Sequence, residues 1–169
     1  GSFKPGGAFF IDGLFGYQRL DFDLRRTVAL TGNRVRGSRD GSQWFASFSA
    51  GADLGRDAWG FTPYGRVDIA RATLDAYVET GDPLFALRYE AMDVDTTTGT
   101  LGLRIDHRTQ TSWGSFSPLF RAEYQHDFKI EAEAVLRYAD RNEQTYRTDV
   151  AGFDNNRFVI GLGALFDTD

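Results

Sequence analysis

Hydrophobic residues recur at every second position through most of this chain, and that regularity constrains its fold more than any other feature. A period of two places side chains alternately on the two faces of an extended strand. Between Trp59 and Ala70, one face receives Trp59, Phe61, Pro63, Gly65, Val67 and Ile69, and the other Thr62, Tyr64, Arg66 and Asp68. The first strand is predicted from Gly7 to about Arg25. Phe9, Ile11, Phe15 and Tyr17 share one phase and Leu20, Phe22 and Leu24 the other, so a bulge or twist is expected near Gln18. Further strands are expected at about 42–54, at 59–73, at 84–107 (one long strand, or two with a break near 96–99), at 113–128 and at 157–166. "TGNRVRGSRDGS" and "LDAYVETGDP" read as loops. The polar stretch 129–154 reads as an extended hairpin or a long loop.

Connections therefore alternate, long at 25–42, 74–84 and 129–155 and short at 55–58 and 108–112. Antiparallel strands with long loops at one end and short turns at the other match an outer-membrane barrel. Composition agrees: aromatic residues make up 15% of the 169 residues and there are 19 glycines, which suits strands and tight turns. There is no cysteine, so a disulfide framework is excluded. A net charge of −5 argues against nucleic acid as a partner. No run reaches the roughly 18 apolar residues of a membrane helix, but a barrel strand needs only about 9–11 alternating ones.

Two segments repeat a layout: Trp59-Gly60, Pro63, Arg66, Asp68, and Trp113-Gly114, Pro118, Arg121, Glu123. A third strand carries Arg104 and Asp106. The spacing of two puts each arginine and acid on one face, where neighbouring strands can pair them. Trp59 and Trp113, at the short-turn end, suit an aromatic girdle at a lipid–water boundary. Alternation alone is compatible with an apolar face turned to lipid around a polar lumen, and equally with a soluble barrel or sandwich whose apolar face is a dry core. The length of the strands favours the first, as do the tryptophans at one end. So do the small residues on the polar face (Ser47, Gly51, Gly102, Gly161, Gly163).

"FTPYGRVDIARATLDAYVETG" resembles a stretch of autotransporter translocator barrels, and "TLGLRID", "WGSFSPLFRAEYQHDF" and "NRFVIGLGALF" resemble successive strands of that family in the same order. "FFIDGLFGYQRLDFDLRR" resembles an earlier strand with its outer extension. The resemblance covers the chain after its first six residues. It implies part of a twelve-stranded C-terminal barrel in the outer membrane of a Gram-negative bacterium, assisting export of a passenger and inserted by the barrel assembly machinery. The family ends in a terminal aromatic, whereas this chain ends "FDTD".

The expected fold is therefore all-β, an antiparallel up-and-down meander of about six to eight long strands forming an outer-membrane barrel or part of one. Residues 1–6 read as a linker and 7–169 as a single barrel segment. Arg66, Asp68, Arg104, Asp106, Arg121 and Glu123 are the expected lumen charges, and Trp59 and Trp113 the girdle. The partners are outer-membrane lipid and a passenger domain, with self-association through open sheet edges. No catalysis, cofactor or metal is expected. Asp21/Asp23 and Asp93/Asp95 read as solvated acids, His107 and His126 as residues near strand ends, and Gly161-x-Gly163 as a bare stretch of strand. A few autotransporters cleave their passenger with acids inside the barrel. Here each acid has an arginine two residues away, so Asp68, Asp106 and Glu123 read as charge partners. The alternative function is a soluble β-barrel or sandwich that binds a ligand or protein.

Overall fold

A computed structural model describes residues 1–112, 114–140, 145–149 and 155–167. It is all-β, and the strands are β1 (Ser2–Gly6), β2 (Phe9–Thr27), β3 (Arg34–Ala52), β4 (Leu54–Arg56), β5 (Trp59–Leu74), β6 (Tyr77–Val78), β7 (Leu87–Tyr89), β8 (Met92–His107), β9 (Thr109–Thr111), β10 (Gly114–Tyr138), β11 (Thr145–Asp149) and β12 (Asn156–Asp167). β1, β2, β3, β5, β8, β10 and β12 lie side by side in chain order, each antiparallel to the next. This is the expected meander. Among the described residues no ladder joins β12 back to β1, so the sheet is an open half-barrel.

The sheet is inside out by the standard of a soluble domain. Its large apolar side chains are exposed: Leu162 is 84% exposed, Phe158 81% and Leu101 68%. Its buried residues are largely polar, with Thr100 2% and Glu123 5% exposed. The polar face is concave, because on it side chains meet across an intervening strand. Tyr64 on β5 reaches Glu123 on β10 over Gly102 of β8. The convex face carries Phe9, Ile11, Phe15 and Tyr17 on β2, facing the same side as Phe48, Ala46 and Trp44 on β3.

The bulge expected near Gln18 is absent. β2 and β3 pair without a register shift from Phe9↔Ala52 to Thr27↔Arg34, and the amide of Gln18 donates to Gln43 Oε1 across the ladder at 2.8 Å. The phase change has another cause. Beyond Tyr17 the convex positions become Arg19, Asp21, Asp23 and Arg25, so the convex face changes from apolar to charged along one unbroken strand. Register shifts lie instead in β10 at Phe128, between Asp127 and Lys129, and in β1 between Phe3 and Gly6.

The expected loop at 31–42 is strand from Arg34 onward. Its glycines serve close packing: a Cβ on Gly37 would stand 2.7 Å from the Tyr77 ring, and one on Gly41 2.6 Å from the Thr73 carbonyl oxygen. The 74–84 loop is likewise partly strand, since β6 and β7 carry the wall upward between β3 and β10. β8 runs unbroken through 96–99. Within 129–154 the hairpin alternative holds, because β10 continues to Tyr138 and pairs with β11. Pro63 is tolerated in a central strand because it faces the break between β3 and β4, where neither strand pairs with it.

The long-connection end holds the buried apolar side chains Val28, Val35 and Ala86. Around them Arg26 forks onto the buried Glu79, with Nη2 2.5 Å from Oε2 and Nε 3.2 Å from Oε1. Asp82 ties the β6–β7 turn to the β2–β3 turn. Its Oδ2 accepts from the Thr31 hydroxyl at 2.7 Å and the Asn33 amide at 3.0 Å, and its Oδ1 accepts from the backbone N–H of Leu84 and Phe85, each at 2.9 Å. These hydrogen bonds, led by that from Thr31, hold its carboxyl down at about 2, against an ordinary 3.8. A depressed carboxyl contributes stability that is complete above its ordinary value and is lost as pH falls through the folded one. Amide exchange at Leu84 and Phe85 is therefore expected to stay slow down to about pH 4 and to accelerate as pH approaches 2. In Asp82→Ala it should be fast at every pH.

Candidate functional site

Alternation on β5, β8 and β10 delivers polar side chains to one concave surface, and the register stacks them in rows. One row is Thr62, Arg104, Arg121 and Gly161. The next is Tyr64, Gly102, Glu123 and Val159. A third is Arg66, Thr100, Gln125 and Arg157, and the fourth holds Asp68, Thr98 and Asp127. All six residues singled out as charges from the sequence lie on this face.

Glu123 is its hub. Oε1 accepts a short hydrogen bond from the Tyr64 hydroxyl and lies 3.9 Å from Arg66 Nη1 and 3.8 Å from Arg121 Nη1. Oε2 accepts from the Gln125 amide at 3.0 Å. A buried carboxylate needs such partners to remain charged. Arg66 also donates through Nε to Asp68 Oδ2 at 2.8 Å, and Ser47 on β3 donates to Asp68 Oδ1 at 2.6 Å. The arginine–acid pairs two residues apart therefore form for Arg66–Asp68 and for Arg121–Glu123.

The third pair does not form among the described residues. Arg104 turns toward β5, donating to the Thr62 hydroxyl at 3.3 Å and lying 3.6 Å from Asp53 Oδ1. Asp106 leans over Gly60, where a Cβ would stand 2.6 Å from its Oδ2. A second buried acid, Asp127, accepts from Thr98 at 2.5 Å and from Arg157 at 3.1 Å. The sequence reading set Tyr64 on the polar face with Arg66 but did not single it out, and it missed Asp127 and Asp53. In the fold Tyr64 faces Gly102 across the ladder.

That glycine is required by close approach. A Cβ on Gly102 would lie 2.3 Å from Tyr64 Cζ. Gly102→Val is expected to displace the ring, break the Tyr64–Glu123 hydrogen bond and destabilise the sheet by about 1–3 kcal/mol. Chemical denaturation in detergent measures this, and Tyr64→Ala should relieve most of the clash.

Trp59 opens β5 on the convex face, half exposed, with its ring 4.5 Å from that of His107. Trp113 lies outside the described residues. His126 Nδ1 is 2.9 Å from Asn156 Oδ1.

The chain's residues 1–169 match the model of the autotransporter beta-domain. The chain belongs to this family. It is 33% identical over 121 residues to the esterase EstA of Pseudomonas aeruginosa, and equally to that of Pseudomonas putida. Each alignment takes in 69% of this chain and 18% of the esterase. It is 22% identical over 152 residues to lipase 1 of Photorhabdus luminescens, with 87% of this chain and 23% of the lipase aligned. The chain thus spans about a fifth of the length of these relatives. No solved structure matches it.

Proposed function

We propose that this β-domain segment is part of the wall of a non-catalytic outer-membrane translocator that anchors and helps export a passenger domain. Its convex face meets lipid, and its concave face lines a water-filled lumen. The observation that carries this reading is the inversion of burial, with Glu123, Asp127, Thr62 and Thr100 buried while Phe158, Ile160, Leu162 and Leu101 are exposed. A water-soluble monomer rarely leaves so large a contiguous apolar surface uncovered. In this reading Arg66, Asp68, Arg104, Asp106, Arg121 and Glu123 are lumen charges, and Trp59 and Trp113 form the girdle at the short-turn end. Insertion is the work of the barrel assembly machinery of a Gram-negative cell. The free edges of β1 and β12 are closed by further strands or by a second copy of the chain, since unpaired edges seek partners.

Sizing by light scattering tests this. A discrete species is expected only in detergent, and its protein mass distinguishes one copy from two. A discrete species in plain buffer would instead support a soluble β module.

A further inference from the structure

At the long-connection end of β2 and β3 the arginines divide by face. The two on the concave side are satisfied: Arg26 forks onto Glu79, and Arg39 donates to the carbonyls of Asp75, Leu74 and Glu90. On the convex side Arg25, Arg34 and Arg36 are exposed, and their side chains have no hydrogen bond or ion pair among the described residues. Arg25 and Arg36 are direct cross-strand partners, and Arg34 stands two residues on, opposite Thr27. Arg88 of β7 lies on the same side beyond β6, where Thr80 faces Arg36 and Val78 faces Arg88. It too is exposed and unpaired among the described residues. Like charges side by side repel. The wall does not relieve them. Asp23, two residues before Arg25 on that face, has Ser38 as its cross-strand partner and makes no ion pair among the described residues.

Height says what such a surface can meet. The apolar stretch of β2 and β3 ends at Tyr17 and Trp44, which are direct partners. Arg25 lies eight residues beyond Tyr17. At about 3.3 Å per residue and a strand tilt of about 40°, the arginines stand about 20 Å above the end of the apolar stretch. A simple phospholipid headgroup reaches only about 5–8 Å beyond the hydrocarbon. The gap is more than an arginine side chain spans, and Asp21 and Asp40 face each other within it.

We propose that Arg25, Arg34, Arg36 and Arg88 form a docking surface for phosphate groups on the sugar chain of a membrane glycolipid, whose anionic head stands well clear of the bilayer. Guanidinium forks match phosphate oxygens. The lipid as occupant rests on the reading that the convex face meets a membrane.

The test uses the full chain in detergent micelles doped with a fluorescent glycolipid that carries phosphates on its outer sugars. A chelator is present throughout, so that no divalent cation bridges phosphate to Asp21 and Asp40. Saturable, salt-sensitive binding is expected. Arg25→Gln, Arg34→Gln and Arg36→Gln should each weaken it about fivefold, and all three together on the order of a hundredfold. Arg36→Lys keeps the charge and should lose less than Arg36→Gln. Arg56→Gln removes an exposed arginine at the short-turn end and should change nothing. Each substitution removes an exposed, unpartnered side chain, so strand content by circular dichroism should hold.

No saturable binding, or equal binding of the dephosphorylated glycolipid or of phosphatidylglycerol, overturns the proposal. So does an equal effect of Arg56→Gln. Inorganic phosphate competing as well as the glycolipid overturns it in favour of a simple anion site. Binding seen only without the chelator assigns it to the acids and overturns it as well. Failure of the translocator reading registers separately, as a discrete species without detergent.

Discussion

Replacing Glu123 by leucine is expected to produce the largest loss of stability of any single substitution on the concave face, about 2–3 kcal/mol. Glu123 is almost wholly buried, and its two oxygens hold Tyr64, Gln125, Arg66 and Arg121 together. Removing it leaves a tyrosine hydroxyl and two guanidinium groups without their common acceptor. The figure lies below that of a fully buried ion pair because Arg121 is nearly half exposed and water can replace part of what it loses. Glu123→Gln keeps the acceptor oxygen and is expected to cost less than half as much. Urea unfolding in lipid vesicles measures both. Equal costs would mean that shape, not charge, matters at this position.

Leu101→Arg has an expected cost that depends on the solvent of the convex face. Leu101 lies in the middle of β8, flanked by Gly65 and Tyr124 on the neighbouring strands, and is 68% exposed. In a soluble protein an exposed leucine exchanges for arginine within about ±0.5 kcal/mol. Facing the bilayer midplane, the same change costs about 2–4 kcal/mol. Arg104→Leu, three residues along on the opposite face, is expected to leave stability in vesicles nearly unchanged. Comparing the two unfolding curves separates solvent from position, since both residues sit in the same strand.

The sheet was legible in the sequence because its signal is local. Alternation assigns every residue of β5, β8 and β12 to a face without knowledge of the neighbour strand, and the six polar-face charges follow from it. What was not legible depends on register. Whether Arg104 pairs with Asp106 or with Asp53 is set by which residue of β5 stands beside it, and the spacing of two cannot reveal that. The same holds for Asp127, whose partners Thr98 and Arg157 come from strands on either side.

The upper wall misled for a different reason. Residues 34–41 are rich in glycine and charge, which in a soluble protein marks a loop. Here those glycines make room for Tyr77 and Leu74, and Arg39 donates to the carbonyls of Asp75, Leu74 and Glu90. A strand that crosses from one solvent to another changes its composition without ending. The switch at Tyr17–Arg19 looked like a bulge for the same reason.

The most direct test of the central claim is a cysteine scan along β8. The chain has no cysteine, so each engineered thiol is the sole site for a nitroxide label. In vesicles, labels at Leu101, Leu103 and Ile105 are expected to collide preferentially with oxygen. Those at Thr100, Arg104 and Asp106 should favour a water-soluble nickel chelate, giving a period of two. The reverse phase, or nickel access at all six positions, would contradict a convex face in lipid and a concave face in water.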